Sequence, residues 1–483
     1  MTRKNKFPPF HSWGETQKIR ISFCVTLKKT QVNDAGPKMR KRNRKIKYDP
    51  FETLRAARFD PCYEDATLEL LNYATKGSLP IWDKLRNIED GPTPELRKEF
   101  LKLSHSGMRK AQDKIIEIIT SPEPWQGSNT LLLHGIADSM AWQMIQNQLC
   151  YARRFYKEQP IIDTKHSNFE SLLGAVNYNN ESLPDSFSLI SDLTTFIQVG
   201  DLLLASPEGG FTIVEVKEGE KNHQILDFMK FFMKSGCPRS LHYFVQEHGE
   251  GALKQLQRMI RQATRMGHVS EVLVTGRSED PDTEYKIRIP EEKVYIGDWD
   301  SELNSILHKS DTRGWALDVI DDCLFIASYS RTAMRGGGHI LFNGWFDNLE
   351  GTPDCPRTTL ISCMSHPLAL PIFNRNIADR HKLDILFGRK NVCIALNIPK
   401  LFKQLIKHGI NVREASNKEA SKMDQKGLPP YRFKGKAYFV GVPGREMVLM
   451  DGVFLRILYH SQRPINTIES ILAGTTIRIP EAF

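Results

Sequence analysis

The chain has 483 residues, about three times the length of a typical single domain, so more than one hydrophobic core is expected. Apolar residues make up 40% and charged residues 25%, proportions that are ordinary for globular proteins and exclude global disorder. No apolar stretch reaches the roughly 20 residues needed to span a bilayer, which predicts a cytoplasmic protein with no membrane partner.

Positive charge is concentrated at the N-terminus. Residues 1–47 contain fourteen Lys or Arg and two acidic residues, a net charge of +12, whereas the whole chain carries +9. We expect residues 1–48 to be a basic, disordered arm. Its densest run, Lys38–Lys47, is suited either to pairing with nucleic-acid phosphates or to staying solvated. Met39 at the start of that run is an alternative to Met1 as the translation start.

Helical patterns follow the arm. Apolar residues recur at helical spacing in Asp60–Lys76 and Pro94–Ile119, which predicts a helical N-terminal region over residues 49–125. The proline-rich segment Ser121–Pro124 marks its end. A further helix is expected from about Ile136 to Lys157.

Strand and helix patterns then alternate. Apolar strands are expected at Phe196–Ala205 and Phe211–Val216, joined by the turn-rich link Ser206–Gly210. Further predicted elements are helices at Gln224–Lys234 and Ala252–Met266 and strands at Leu241–Val245, Glu271–Thr275 and Lys293–Ile296. The alternation predicts an α/β domain over residues 126–312, with a mixed sheet flanked by helices.

The pattern changes again beyond residue 312. We assign residues 313–483 to a separate C-terminal α+β domain without an assigned role. Its predicted elements are strands at Cys323–Ser328, Gly338–Phe342 and Ala437–Val442 and a helix near Leu401–His408.

Asp201, Glu215 and Lys217 form the candidate catalytic site on the predicted hairpin. Side chains alternate along a strand, so Glu215 and Lys217 share one face. A five-residue loop, Ser206–Gly210, places Asp201 opposite Glu215, whereas a four-residue loop would place it opposite Val216. We therefore predict the odd-length loop, which brings two carboxylates and a lysine to the same face.

This combination of groups is typical of phosphodiester hydrolysis at neutral pH. Mg²⁺ requires oxygen ligands and retains water molecules that it can activate. An adjacent lysine stabilises the negative charge that develops on the phosphate. The alternative is an ordinary pair of strands with a solvated salt bridge, because Glu-x-Lys is common on exposed strand faces.

The residues around the hairpin resemble the PD-(D/E)xK nuclease superfamily, which includes restriction endonucleases, recombination nucleases and antiviral defence nucleases. The resemblance covers Gly200-Asp201, the hairpin and Glu215-Val216-Lys217. It implies a restriction-endonuclease-like core, in which Asp201, Glu215 and the carbonyl of Val216 bind Mg²⁺ or Mn²⁺ and Lys217 assists catalysis. It also implies a nuclease that acts on DNA, in restriction or antiviral defence.

The same resemblance assigns two further residues. Gln255 lies on the predicted helix after the hairpin, where recombination-type members have a glutamine that contacts the site. Those members commonly have a tyrosine four residues later, where this chain has Met259. Glu170, in an apolar helical segment upstream, is preferred to Asp138 and Glu158 as an additional acidic metal ligand.

Several alternatives stay open at this point. The domain is either an active nuclease or a catalytically inactive module of the same fold that binds nucleic acid or a protein partner, and oligomers are compatible with both. The helix after the hairpin also carries regularly spaced basic residues, which either contact phosphate or form a solvated face: Lys254, Arg258, Arg261 and Arg265.

Overall fold

The computed structural model describes most of the chain, in two compact units. The described residues are 19–26, 59–86, 92–159, 169–279, 286–289, 297–331, 337–349, 351–352, 354–425 and 429–474. The first unit draws on residues 1–46, 69–124 and 136–289, and the second on 47–68, 125–135 and 290–483. The division therefore falls at residue 289 rather than at the expected 312, and each unit combines separate segments of the chain.

The helical N-terminal region is present as expected. The described helices before residue 289 are α1 (Glu64–Lys76), α2 (Trp82–Arg86), α3 (Pro94–Thr120), α4 (Thr130–Met144), α5 (Leu149–Phe155), α6 (Phe169–Ser182), α7 (Glu220–Ser235) and α8 (Pro238–Thr275). The helix expected from Ile136 to Lys157 is instead divided into α4 and α5. Gln146 and Asn147 adopt φ values of 56° and 54° between them, a left-handed conformation that ends an α-helix.

A mixed four-stranded sheet forms the centre of the first unit. Its strands are β1 (Ile19–Thr26), β2 (Phe187–Ile190), β3 (Leu202–Ala205) and β4 (Phe211–Glu218), in the order β1-β4-β3-β2. Strands β2, β3 and β4 are antiparallel neighbours, and β1 runs parallel to β4. A short pair, β5 (Arg277–Glu279) and β6 (Lys286–Arg288), follows α8.

Strand β1 corrects the expectation that residues 1–48 are disordered. Ile19–Thr26 pairs with β4 along the whole length of that strand. Its sequence, Ile-Arg-Ile-Ser-Phe-Cys-Val-Thr, contains the alternation of apolar and polar residues that is typical of a strand. The net charge of the arm concealed this local pattern. The basic run Lys38–Lys47 lies outside the described residues.

Helix α3 covers the edge strand β2. His105, Arg109 and Gln112 lie on one face of α3 and hydrogen-bond to the backbone at and just before β2. Gln112 donates to the carbonyl of Ser188 and accepts from the N–H of Ile190, both at 2.9 Å. These side chains satisfy backbone groups that an edge strand otherwise leaves unpaired.

Three strand predictions around the sheet are wrong or too long. Leu241–Val245 and Glu271–Thr275 both lie within α8, which is kinked at Gly249. The burial of Phe244 against α7 decides the first segment, because tertiary packing overrides the strand propensity of a short apolar run. Of the strand expected at Phe196–Ala205, the last four residues form β3.

The second unit contains two antiparallel sheets. Its described strands are β7 (Trp315–Ile320), β8 (Leu324–Tyr329), β9 (Arg357–Thr359) and β10 (Asn391–Leu396), in the order β7-β8-β10-β9, and β11 (Asn411–Glu414), β12 (Arg432–Phe433), β13 (Lys436–Val442) and β14 (Arg445–Val448), in which β13 pairs with the other three. Its described helices are α9 (Asp300–Arg313), α10 (Gly338–Asp347), α11 (Asp379–Leu386), α12 (Ile398–Lys407), α13 (Asn417–Gln425), α14 (Asp451–Tyr459) and α15 (Pro464–Gly474).

Predictions for the second unit were mostly confirmed. Strands β8 and β13 and helix α12 occur where the sequence predicts them. The strand expected at Gly338–Phe342 is wrong, since this segment begins α10. Phe342 and Phe346, one turn apart, are both buried and stack on each other, which favours a helix. The strand expected at Lys293–Ile296 lies outside the described residues.

Among the described residues, no helix has both the length and the apolar sequence needed to cross a membrane.

Candidate functional site

The register of β3 and β4 fixes the length of the loop that joins them. Leu202 pairs with Val214 and Ala205 pairs with Phe211, which leaves the five residues Ser206–Gly210 in the loop. The predicted odd-length loop is thus confirmed. The paired residues end at Leu202, so Asp201 lies just before β3 and its position relative to Glu215 is set by its own contacts.

Both the backbone and the side chain of Asp201 form hydrogen bonds to β4. Its N–H donates to the carbonyl of Val214 (2.8 Å), and its Oδ2 accepts from the N–H of Val216 (2.7 Å). Gly200 precedes it with a φ of 82°, and a Cβ at this position would lie 2.4 Å from Cγ2 of Ile213. A glycine is therefore required for the chain to enter β3 this close to β4.

Glu215 and Lys217 form a buried ion pair rather than a solvated salt bridge. Glu215 is 3% and Lys217 is 8% exposed, and Nζ of Lys217 lies 2.5 Å from Oε1 of Glu215. Gln262 of α8 contacts both residues. Its Oε1 accepts from Lys217 (3.1 Å), and its Nε2 donates to Oε1 of Glu215 (2.6 Å). This amide fixes the positions of the carboxylate and the ammonium simultaneously.

Gln262 takes the place that the sequence analysis assigned to Gln255. Gln255 instead donates to Oδ1 of Asn222 (3.2 Å), whose Nδ2 donates to the carbonyl of Glu218 (2.6 Å). Gln255 therefore stabilises the start of α7 through Asn222 and does not hydrogen-bond to the Glu215–Lys217 pair. The two glutamines are seven residues apart, about two helical turns, so both lie on the same side of α8. Spacing identifies the face of the helix but not the turn that reaches β4.

The sequence analysis missed Asp192, an acidic residue near the site. It lies in the short 3₁₀ helix Ser191–Leu193 after β2, and the N–H of Ser191 donates to the carbonyl of Asp201 (2.9 Å). Burial raises the pKa of Asp192, and the charge of Glu215 raises it further. A carboxylate two residues after the apolar strand Phe187–Ile190 is the signal that could have identified it.

Burial and then neighbouring negative charge raise the pKa values of the two aspartates at the site. Burial raises the pKa of Asp201 to about 7, and the charges of Glu215 and Asp192 act in the same direction. The N–H of Val216 and the ammonium of Lys217 lower the pKa of Asp201 but do not cancel the effect. A cation next to Asp201 would therefore favour its ionised form.

The other acidic candidates occupy different positions. Glu170 is exposed in the first turn of α6. Asp138 is buried, and its carboxylate accepts from the N–H and the hydroxyl of Thr195, each at 2.7 Å. Burial raises the pKa of Asp138 to about 7. These contacts give Asp138 a structural role, and Asp192 is better placed than Glu170 to act on Asp201.

The oxygen atoms that could act as metal ligands at this site suit a hard cation that keeps water molecules. Hydrogen bonds from described residues reach Oδ2 of Asp201 and Oε1 of Glu215, and none from this part of the chain reaches Oδ1 of Asp201 or Oε2 of Glu215. The carbonyl of Val216 projects from the same edge of β4 as its N–H. No three acidic, histidine or cysteine side chains among the described residues of the first unit offer ligand atoms within 4.8 Å of one another.

A second group of potential ligands, in the second unit, is already neutralised by a lysine. Asp311, His381 and Asp384 offer ligand atoms within 4.8 Å of one another. Nζ of Lys390 lies 2.5 Å from Asp311, 2.8 Å from His381 and 3.5 Å from Asp384. Because this buried ammonium occupies the position of a cation, we assign no metal there.

Comparisons of the chain with protein-family models, curated proteins and solved structures give no significant match. The resemblance to PD-(D/E)xK nucleases therefore depends on the hairpin residues and their geometry.

Proposed function

We propose that the first unit is a metal-dependent nuclease that hydrolyses phosphodiester bonds in DNA, with Asp201, Glu215 and Lys217 at its centre. The observation that supports this most directly is the odd register of the hairpin. Together with the hydrogen bond from the N–H of Val216 to Oδ2 of Asp201, it brings an aspartate beside a buried glutamate–lysine pair. A role in restriction or antiviral defence is the biological setting that the resemblance favours.

Mg²⁺ is the proposed cofactor, with Mn²⁺ as an alternative. Asp201, Glu215 and the carbonyl of Val216 would hold it, and Asp192 would add negative charge nearby. Two carboxylates and one carbonyl leave room for the water molecules that Mg²⁺ retains in protein sites. When bound, the ion supplies Lewis-acid activation of the phosphate and of a water molecule.

Lys217 is positioned to stabilise charge on the phosphate. An ammonium group has three N–H donors, and Glu215 and Gln262 accept from it. A donor therefore remains for a phosphoryl oxygen of the substrate. Because Glu215 and Gln262 hold the ammonium before the substrate arrives, little reorganisation is needed during the reaction.

Cleavage of plasmid and linear DNA in Mg²⁺, Mn²⁺ or EDTA tests the proposal. We expect metal-dependent cleavage, reduced at least about 100-fold in Glu215→Gln and in Lys217→Met, the loss typical of removing one transition-state charge partner. Glu220→Gln is the matched control, because it removes the same charge from an exposed position in the first turn of α7. Cleavage that persists unchanged in both site variants would overturn the proposal. Tight, salt-dependent binding without cleavage by the wild-type protein would favour the inactive binding module.

A further inference from the structure

Helix α8 presents an exposed row of cations beside the candidate site. Lys254, Arg258 and Arg261 are all exposed and recur at intervals of four and three residues, so they share one side of the helix. We call these three residues the basic face. No Asp or Glu occurs in residues 251–270.

The charges of the basic face are not neutralised by neighbouring acidic side chains among the described residues. Some exposed helix cations elsewhere pair within their own helix, as Lys114 does with Glu117 and Lys230 with Asp227. Lys254, Arg258 and Arg261 form no ion pair with any other described residue. Like charges three and four residues apart destabilise a helix slightly, so the isolated row has a small energetic cost.

Packing fixes the direction in which this face points. Ala252, Leu256 and Met259 are buried against α7 and set the rotation of α8 about its axis. Gln262, which contacts Glu215 and Lys217, lies at the border between the buried side and the basic face. Arg258 is one turn before Gln262, and Arg261 is next to it in sequence. The row of cations therefore runs along α8 towards the Glu215–Lys217 pair.

We propose that the basic face binds successive phosphates of one DNA strand and directs that strand to the Glu215–Lys217 pair. Lys254 to Arg261 span about 10 Å of helix, an axial length over which one strand of duplex DNA presents about three phosphates. The charge is complementary to DNA, and the position is adjacent to the proposed reaction. This inference depends on the proposed function for the identity of the substrate but is tested without catalysis.

Binding of fluorescently labelled duplex DNA to the full chain, measured in EDTA between about 50 and 200 mM salt, tests the basic face. In the triple variant Lys254→Gln, Arg258→Gln, Arg261→Gln, we expect the slope of log K against log salt concentration to become less steep by about 2 to 3 units. Each single variant should contribute about one unit. The matched control is Lys403→Gln, Lys407→Gln, Lys422→Gln, which removes the same charge from exposed positions on α12 and α13. Thermal unfolding of each variant establishes that it is folded.

Two results would overturn the inference. One is a slope in the basic-face variant that equals the wild-type slope or changes only as much as in the control. The other is a change of slope with RNA of the same length but not with DNA. The outcome is distinguishable from failure of the proposed function. If cleavage is absent but the slope of the basic-face variant changes as expected, the basic face binds DNA and the nuclease proposal fails. If Glu215-dependent cleavage occurs while the slope is unchanged, the nuclease proposal stands and the inference about the basic face fails.

Discussion

A single neutral amide, that of Gln262, contacts both partners of the Glu215–Lys217 ion pair. Gln262 accepts from the ammonium of Lys217 and donates to the carboxylate of Glu215, in addition to the direct contact between these two groups. A buried ion pair is costly to desolvate, and its geometry contributes most when further hydrogen bonds hold both partners. We therefore regard Gln262 as a positioning residue.

We expect Gln262→Ala to lower kcat for DNA cleavage by about 10- to 100-fold, the range for residues that orient a catalytic or ligating group, with a smaller change in KM. Gln255→Ala is the matched control on the same side of α8. It should leave kcat unchanged and destabilise the protein by about 1 kcal/mol, because it removes the bond to Asn222. Gln262→Glu should not restore kcat, since a second carboxylate would compete for Lys217. A larger loss of kcat in Gln255→Ala than in Gln262→Ala would contradict this assignment.

At the scale of residues, predictions were correct where a short-range sequence pattern was sufficient to fix the geometry. Strand alternation was sufficient to pair Glu215 with Lys217, because a period of two leaves no freedom in the relative direction of the side chains. The resemblance assigned Gln255 on the predicted helix to the site, whereas Gln262 of the same helix contacts Glu215 and Lys217. The sequence did not identify which of them reaches the sheet, because that depends on where α8 passes β4.

At the scale of elements, Gly200 allows the chain to enter the β3–β4 hairpin close to Ile213 of β4. Gly200→Ala introduces a Cβ 2.4 Å from Cγ2 of Ile213, at a φ of 82° that a side chain disfavours. We expect a loss of about 2–4 kcal/mol in the free energy of unfolding, from the strained backbone and the overpacking together. Denaturant titration measures this loss.

Gly209→Ala provides the control for that substitution. Gly209 also has a positive φ, of 91°, but a Cβ there would meet nothing within 4 Å, so only the backbone strain of about 1–2 kcal/mol should appear. Under conditions in which both variants are folded, DNA cleavage should fall in Gly200→Ala and persist in Gly209→Ala, because only Gly200 positions Asp201. Equal effects of the two substitutions on stability and cleavage would speak against the role assigned to Gly200.

Element types were predicted best where a long periodic pattern had clear end signals. Helix α3 begins at Pro94 with Thr93 as its N-cap, and it was predicted to within one residue. Leu241–Val245 and Gly338–Phe342 were too short to distinguish a strand from a helix. Packing of Phe244 against α7 and stacking of Phe342 on Phe346 decided both in favour of a helix.

For the whole molecule, strand β1 links the N-terminal segment to the candidate site. It pairs in parallel with all eight residues of β4, including Glu215 and Lys217. A chain that begins at Met39 lacks Ile19–Thr26, which would leave β4 with unpaired N–H and C=O groups along one edge. We expect this shorter chain to unfold at a lower temperature and to cleave DNA more slowly than the chain that begins at Met1.

Thermal unfolding and DNA cleavage assays of the two chains measure the contribution of β1. A chain that begins at Thr16 is the control, because it is also shortened but keeps Ile19–Thr26. It should match the chain from Met1 in both measurements. Equal stability and activity of the Met39 chain and the full chain would show that β4 does not need β1.

The sequence by itself determined the residue types of the candidate site and the pairing of Glu215 with Lys217. Local alternation and turn length are short-range properties, so Glu215, Lys217 and the odd loop before them follow from adjacent residues. The tertiary structure decided which distant groups join them: Asp192 from the end of β2, Gln262 from the middle of α8 and β1 from the basic arm. These contacts depend on where separate elements cross in space, which no local pattern specifies.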